Sequence, residues 1–162
     1  MIKLQNNHTD KLTSITSLQD HLSYLADTTH DDHQGMTLMP GRNHGCVDDS
    51  PEAYIDGVNE AQATYLQVRD GIVGKRSPKL WEEIIYRPDV GVFHTDDERL
   101  LIERNIIDEF AANSAARAVW QVDPETGHDR LRIIIAAKTK DGTITLARTE
   151  ENLLTKFKRF VP

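Results

Sequence analysis

Two arginines, Arg130 and Arg132, stand two residues apart in a segment that alternates charged and apolar side chains. Alternate residues of a β-strand point to the same face of a sheet, so both guanidinium groups are expected on one face, and Gln121 on the preceding strand is expected on the same side. Because arginine forks match phosphate oxygens, this face is a candidate phosphate-binding surface. The alternative is a solvated strand face on which the arginines pair with Asp123, Glu125 or Asp129, an ordinary pattern for half-buried strands.

Four of the seven histidines fall between positions 21 and 44. His30 and His33 flank two aspartates, and imidazole with carboxylate is a ligand set that suits a divalent metal. No cysteine pair or helical His-Glu pattern accompanies them, so the favoured interpretation is an acidic polar loop.

Tyr24 lies in a segment whose apolar residues recur at helical spacing. A tyrosine hydroxyl can attack a phosphodiester as a covalent nucleophile when a base or a metal activates it. The alternative is a residue at the rim of an amphipathic helix, with no chemical role.

The segments around these residues have the periodicities of an α+β protein. Helices are predicted over residues 14–26, over 51–69, from the Thr95–Glu98 capping box onward, and from Thr149 onward. Strands are predicted at 36–39, 81–86, 118–122, 131–137 and 143–147. Short turns join the last strands, so we expect an antiparallel sheet with helices packed on it.

The composition predicts one domain over residues 1–162, with a loop-rich acidic stretch at 27–50. The net charge is −7, and residues 1–60, with three basic and ten acidic side chains, account for all of it. This charge argues against strong nucleic-acid binding, although residues 138–159 are locally basic. One cysteine, no long apolar run and no signal-like N-terminus predict a soluble cytoplasmic protein with no membrane contact.

The motifs, in their order, resemble the nuclease domain of plasmid mobilisation relaxases, members of the HUH endonuclease superfamily. Residues 17–25 resemble the family's first motif, a helix that carries the DNA-cleaving tyrosine, here Tyr24. Residues 118–123 and 127–135 resemble its His-x-Asp motif, its turn and its His-x-His strand. The resemblance covers most of the chain. Residues 39–43 lie where the family has a strand end, 51–69 where it has a helix, and 71–77 where it has a linker. Residues 84–99 lie where it has a strand, a turn and a Thr-x-x-Glu helix start.

The resemblance implies a two-layer fold and the nicking and joining of single-stranded DNA through Tyr24. It also implies a role in conjugation, with a protein partner in a mobilisation complex. In the family, histidines bind a divalent metal such as Mg²⁺ or Mn²⁺, which polarises the scissile phosphate.

This chain departs from the family at the metal ligands. Gln121, Arg130 and Arg132 occupy the histidine positions, and His128 lies close by. Arginine is cationic and has no lone pair to donate to a metal, so no metal cofactor is expected. These four residues are instead expected to bind DNA phosphates directly.

Three interpretations remain open. The chain is a relaxase-like strand-transfer enzyme with Tyr24 as its nucleophile, a catalytically silent relaxase-like module that binds DNA or a protein, or an unrelated α+β protein. The first requires the Tyr24 hydroxyl to approach the sheet face that carries Arg130 and Arg132.

Overall fold

The computed structural model describes the backbone of residues 2–4, 11–70, 78–88, 94–125 and 128–145, and their side chains except those of 2–4, 11 and 128. Its helices are α1 (Ile15–Ala26), α2 (Pro51–Val68) and α3 (Asp96–Phe110). Its strands are β1 (Ile2–Leu4), β2 (Thr37–Leu38), β3 (Arg42–His44), β4 (Trp81–Tyr86), β5 (Ala116–Asp123) and β6 (His128–Ala136). Short 3₁₀ helices span Lys11–Thr13 and Asp31–His33.

The strands form one antiparallel sheet in the order β1-β4-β6-β5, and both β2 and β3 pair with the outer edge of β5. β6 lies between β4 and β5, with Ile133 opposite both Ile84 and Ala118. The expected α+β class and antiparallel sheet are therefore confirmed.

Helices cover both faces of this sheet. Leu131, Ile133 and Ile135 pack in the cluster that contains the buried side of α3, whereas Ile134 and Ala136 pack in the cluster that contains α1 and α2. All six residues of β4 are buried, as expected of a strand covered on both faces. The layers thus number three, which corrects the expected two-layer arrangement.

Local capping signals explain where the helices begin. The Ser14 and Ser50 side chains accept hydrogen bonds from backbone amides one turn on, and Pro51 opens α2. Thr95 and Glu98 form the predicted capping box at the start of α3. All three helices start within one residue of their predicted positions.

Some predicted boundaries differ from the structure. β3 lies inside the segment predicted as loop, and it becomes a strand through its pairing with β5. The predicted strand at 143–147 is represented, within the described residues, by a single bridge between Lys138 and Ile144. The rest of that strand and the helix predicted from Thr149 lie outside the described residues. Of the helices described, none has the length and apolar character needed to span a membrane.

Candidate phosphate-binding face

The structure places Gln121, Arg130 and Arg132 on one face of the sheet, the face covered by α1 and α2. Gln121 lies directly opposite Arg130, and Val119 lies opposite Arg132, in the β5–β6 register. This face is not solvated, because Arg132 is 7% exposed and Gln121 is 1% exposed. The expectation of a shared face is confirmed, and the alternative of a solvated strand face is wrong.

Tyr24 projects from α1 onto the same face. The guanidinium carbon of Arg132 lies 5.8 Å from the centre of the Tyr24 ring. Leu18, Leu22 and Leu25 are buried on the sheet side of α1 and hold the helix in this position. Of the predicted site residues, Tyr24, Gln121, Arg130 and Arg132 therefore share one face, whereas the side chain of His128 lies outside the described part.

Arg132 is already paired with a carboxylate. Its guanidinium donates to Glu83 Oε1 at 2.7 and 3.3 Å, and His21 Nε2 contacts the other oxygen of the same carboxylate. Burial by itself would raise the pKa of Glu83, but the His21 hydrogen bond and the Arg132 charge outweigh it and hold the pKa below its ordinary value. Glu83 is therefore a buried counter-ion of Arg132.

Arg130, in contrast, has a guanidinium that no described carboxylate contacts directly. Within the described part of the chain it makes no hydrogen bond or ion pair, although the side chain is half-buried. Burial and the neighbouring charges of Arg87 and Arg132 lower its pKa. An arginine stays protonated even so, which leaves a cation whose surroundings disfavour its charge. An anion bound at this point would relieve both the repulsion and the lost hydration.

The Tyr24 hydroxyl donates a hydrogen bond to Asp32 Oδ2 at 3.0 Å. Burial and this hydrogen bond raise the pKa of Tyr24, against a smaller opposing effect of the Arg132 charge. The phenol is thus protonated at neutral pH, and its proton points at a carboxylate that can accept it.

His33 links Tyr24 to Gln121. Its Nδ1 donates to the Asp27 carbonyl oxygen at 2.7 Å, so its Nε2 accepts from the Gln121 amide at 3.2 Å. Its ring lies 4.7 Å from the Tyr24 ring, centre to centre. The Gln121 Oε1 atom is buried and accepts no hydrogen bond from a described residue. His33 itself is buried, which corrects the polar-loop interpretation for this residue.

The residues of this face do not fit a divalent metal. Its guanidinium groups repel a cation and donate no lone pair, and Gln121 supplies a single amide oxygen. His30 and His33 do not form a metal cluster either: among the described residues, no three or more His, Cys, Asp and Glu side chains are grouped in a way that could hold a metal.

A second set of buried charges lies on the opposite face, under α3. Glu103 is fully buried and accepts from Trp120 Nε1 at 2.9 Å, while its other oxygen contacts His44 and Arg42. Asp129 pairs with Arg99 at 3.3 Å on this side. Asp129 is therefore not a partner of Arg130 or Arg132, and the two charged networks are separated by the sheet.

Sequence reasoning missed Glu83, Arg87 and the pairing of His21. The signal for Glu83 was present, because two glutamates interrupt an apolar strand at 82 and 83 and a buried carboxylate needs a partner. Arg87 follows the end of β4, and only the β4–β6 register brings it beside Arg130.

Comparisons of the chain with family models, with curated proteins and with solved structures find no match. The function proposed below therefore depends on the chemistry of this face and on the resemblance of its motifs.

Proposed function

We propose that this protein is a relaxase-like module that binds single-stranded DNA on the Tyr24–Arg130 face and has lost metal-dependent nicking. The observation that carries the proposal is the guanidinium of Arg130, which makes no hydrogen bond or ion pair to a described residue and lies on the same face as Tyr24. The resemblance to mobilisation relaxases supplies DNA as the source of the phosphate.

The local charge of the face favours an anion although the whole chain is acidic. Arg87, Arg130 and Arg132 bring positive charge to this face, and Glu83 neutralises that of Arg132. Guanidinium groups bind phosphate oxygens with short charge-assisted hydrogen bonds. The net charge of −7 repels DNA as a whole and so lowers the affinity. We therefore expect binding that is moderate and strongly dependent on salt.

The Tyr24 ring favours a single strand over a duplex. The side chain is half-exposed and lies beside the arginines, so an unpaired base can stack on the ring while its phosphate reaches Arg130. Such stacking contributes roughly 1–3 kcal/mol per base in single-strand-binding proteins. Bases within a duplex are not exposed in this way.

Fluorescence anisotropy with a labelled single-stranded oligonucleotide at low salt tests the proposal. We expect saturable binding of the single strand and weaker binding of the matching duplex. The affinity should be equal in EDTA and in Mn²⁺, because arginines and not a metal hold the phosphate. Binding that requires Mn²⁺ would contradict the loss of the metal site, and an absence of binding would contradict the proposal as a whole.

The Tyr24–Asp32 hydrogen bond favours a second candidate, a slow metal-free strand transferase. In this reaction Tyr24 Oη bonds to the phosphorus as the phosphorus–oxygen bond to the leaving strand breaks. Asp32 takes the phenol proton, and the leaving oxygen takes a proton from water. Reversal of the step rejoins the DNA.

Tyr24→Phe separates the two candidates. If the second holds, wild-type protein incubated with labelled single-stranded DNA gives a covalent adduct on a denaturing gel, and Tyr24→Phe gives none. The matched control is Tyr54→Phe, because the buried Tyr54 hydroxyl makes no hydrogen bond to a described residue and its removal should leave the face unchanged. No adduct from the wild type, with DNA binding retained, leaves the binding module alone.

A further inference from the structure

Two arginines meet on the Tyr24–Arg130 face, where strands β4 and β6 lie side by side. Tyr86 at the end of β4 pairs with Leu131 of β6, so one further step in this register brings Arg87 opposite Arg130. Residues directly opposite each other on antiparallel strands share a face of the sheet. After burial, the charge of Arg87 is the strongest influence that lowers the pKa of Arg130. The two guanidinium groups therefore lie close enough to repel each other.

The two arginines differ in depth. Arg87 is exposed, whereas Arg130 is half-buried and makes no hydrogen bond or ion pair to a described residue. A phosphate that contacts both must therefore reach a group that lies partly below the surface. An internal phosphate of a DNA strand carries a nucleotide on each side, which hinders this approach. A terminal phosphate carries a nucleotide on one side only, and it presents three free acceptor oxygens.

The charges around Arg130 favour the same ligand. Tyr24 and Glu83 partly offset the like charges of Arg87 and Arg132, but the Glu83 carboxylate is already paired with Arg132. A terminal phosphate carries about −1.5 to −2 charges at neutral pH, whereas an internal phosphate carries a single charge. The larger charge relieves more of the repulsion between Arg87 and Arg130, and the additional oxygen gives the second guanidinium an acceptor.

We propose that the Tyr24–Arg130 face binds the phosphorylated end of a DNA single strand, with the terminal phosphate held between Arg87 and Arg130. The inference rests on the proposed function, since it names the part of the DNA that this face recognises. Arg130 contributes affinity for any phosphate, and Arg87 contributes the preference for an end. The terminal base then stacks on the half-exposed Tyr24 ring.

Competition against an internally labelled oligonucleotide, followed by fluorescence anisotropy, tests the proposal. The unlabelled competitors share one sequence and differ in their ends: hydroxyl groups at both ends, a phosphate at the 5′ end, or a phosphate at the 3′ end. We expect one phosphorylated end to compete about tenfold better than the hydroxyl form, the equivalent of one added charge-assisted hydrogen bond. The methyl ester of the same terminal phosphate lacks one charge and one free oxygen, so it should lose most of this gain.

Arg87→Gln tests the assignment of the preference to this residue. The variant should lose the preference for the phosphorylated end and should bind the hydroxyl form only slightly less tightly than the wild type does. The control Arg104→Gln removes a charge from an exposed position on α3 and should keep both properties.

The outcomes separate this inference from the proposed function. Equal competition by the hydroxyl, phosphorylated and methylated forms, with all of them bound, would overturn the inference and leave the proposed function standing. A preference that survives methylation of the phosphate, or that survives in Arg87→Gln, would overturn it as well. An absence of binding by every oligonucleotide would overturn the proposed function itself.

Discussion

Arg130 and Arg132 differ in their partners although they share a strand and a face. Arg132 is held by the buried carboxylate of Glu83, whereas the pKa of Arg130 is lowered by burial and by the like charges of Arg87 and Arg132, which outweigh the opposing effects of Tyr24 and Glu83. Strand alternation was enough to predict the shared face. The division between an arginine paired with a buried carboxylate and one proposed to bind an anion was not predictable, because Glu83 is brought to Arg132 by strand pairing across 49 positions.

Glu83→Gln tests the structural half of this division. The change leaves Arg132 buried without its counter-ion, so we expect a loss of roughly 3–5 kcal/mol in the free energy of unfolding by urea. The matched control is the neighbouring Glu82→Gln. Glu82 is also buried, but its partner Lys79 is one-third exposed and stays hydrated when the carboxylate is removed, so a smaller loss than in Glu83→Gln is expected. Equal losses in the two variants would mean that the Glu83 ion pair does not stabilise the fold.

The acid stability of the protein should depend on the same carboxylate. Because the pKa of Glu83 is lower in the folded state, its contribution is fully present above the unfolded pKa of about 4.3 and is lost as the pH falls through the folded value. We expect the free energy of unfolding of the wild type, measured with urea at several pH values, to decrease as the pH falls below about 5. The decrease should be less steep in Glu83→Gln. Parallel pH profiles would contradict the low folded pKa of Glu83.

Among the helices and strands, those specified by neighbouring residues in the sequence were predicted correctly, and those that depend on long-range strand pairing were not. Helix starts were predicted correctly because a cap and its amide lie within one turn, as Thr95 and Glu98 do. β4 was predicted with its observed bounds because strand-forming side chains from Trp81 to Tyr86 are followed by a turn signal at Pro88. β1 and β3 were missed because each has only three residues. β1 becomes a strand only by pairing with β4, and β3 only by pairing with β5.

Removal of the α3 cap should have a measurable cost. Thr95→Ala leaves the Glu98 amide without its acceptor, while the backbone amide of residue 95 can still donate to the Glu98 side chain, so a loss of about 1 kcal/mol is expected in urea unfolding. Asp97→Ala, in the same exposed first turn, is the comparison and should cost only a few tenths of a kcal/mol. A Thr95→Ala variant as stable as wild type would show that tertiary packing alone fixes the start of α3.

At the scale of the whole molecule, the sheet is a middle layer whose two faces carry separate cores and separate charge networks. The continuous run of isoleucines in β6 is the sequence feature that fits this arrangement, since a strand with one solvated face alternates. The family resemblance had suggested two layers. The position of α3 on the second face follows from its apolar residues, which meet Ile133 and Ile135.

Two adjacent isoleucines test the three-layer arrangement. Ile133 and Ile134 are fully buried on opposite faces, so Ile133→Ala and Ile134→Ala are each expected to lower the free energy of unfolding by roughly 2–5 kcal/mol. Ile144→Ala is the control, because that side chain is half-exposed and should cost much less. A large loss for only one of the buried pair would place helices on one face alone.

The central claim is that Arg130 binds a DNA phosphate, and the salt dependence of single-stranded DNA binding tests it most directly. Affinity measured by anisotropy across a range of salt concentrations should fall as salt rises, and Arg130→Ala should weaken binding and reduce the slope of log affinity against log salt by about 0.7. Arg104→Ala removes an equal charge from an exposed position on α3 and should leave the slope unchanged. Identical slopes for wild type, Arg130→Ala and Arg104→Ala would contradict the claim.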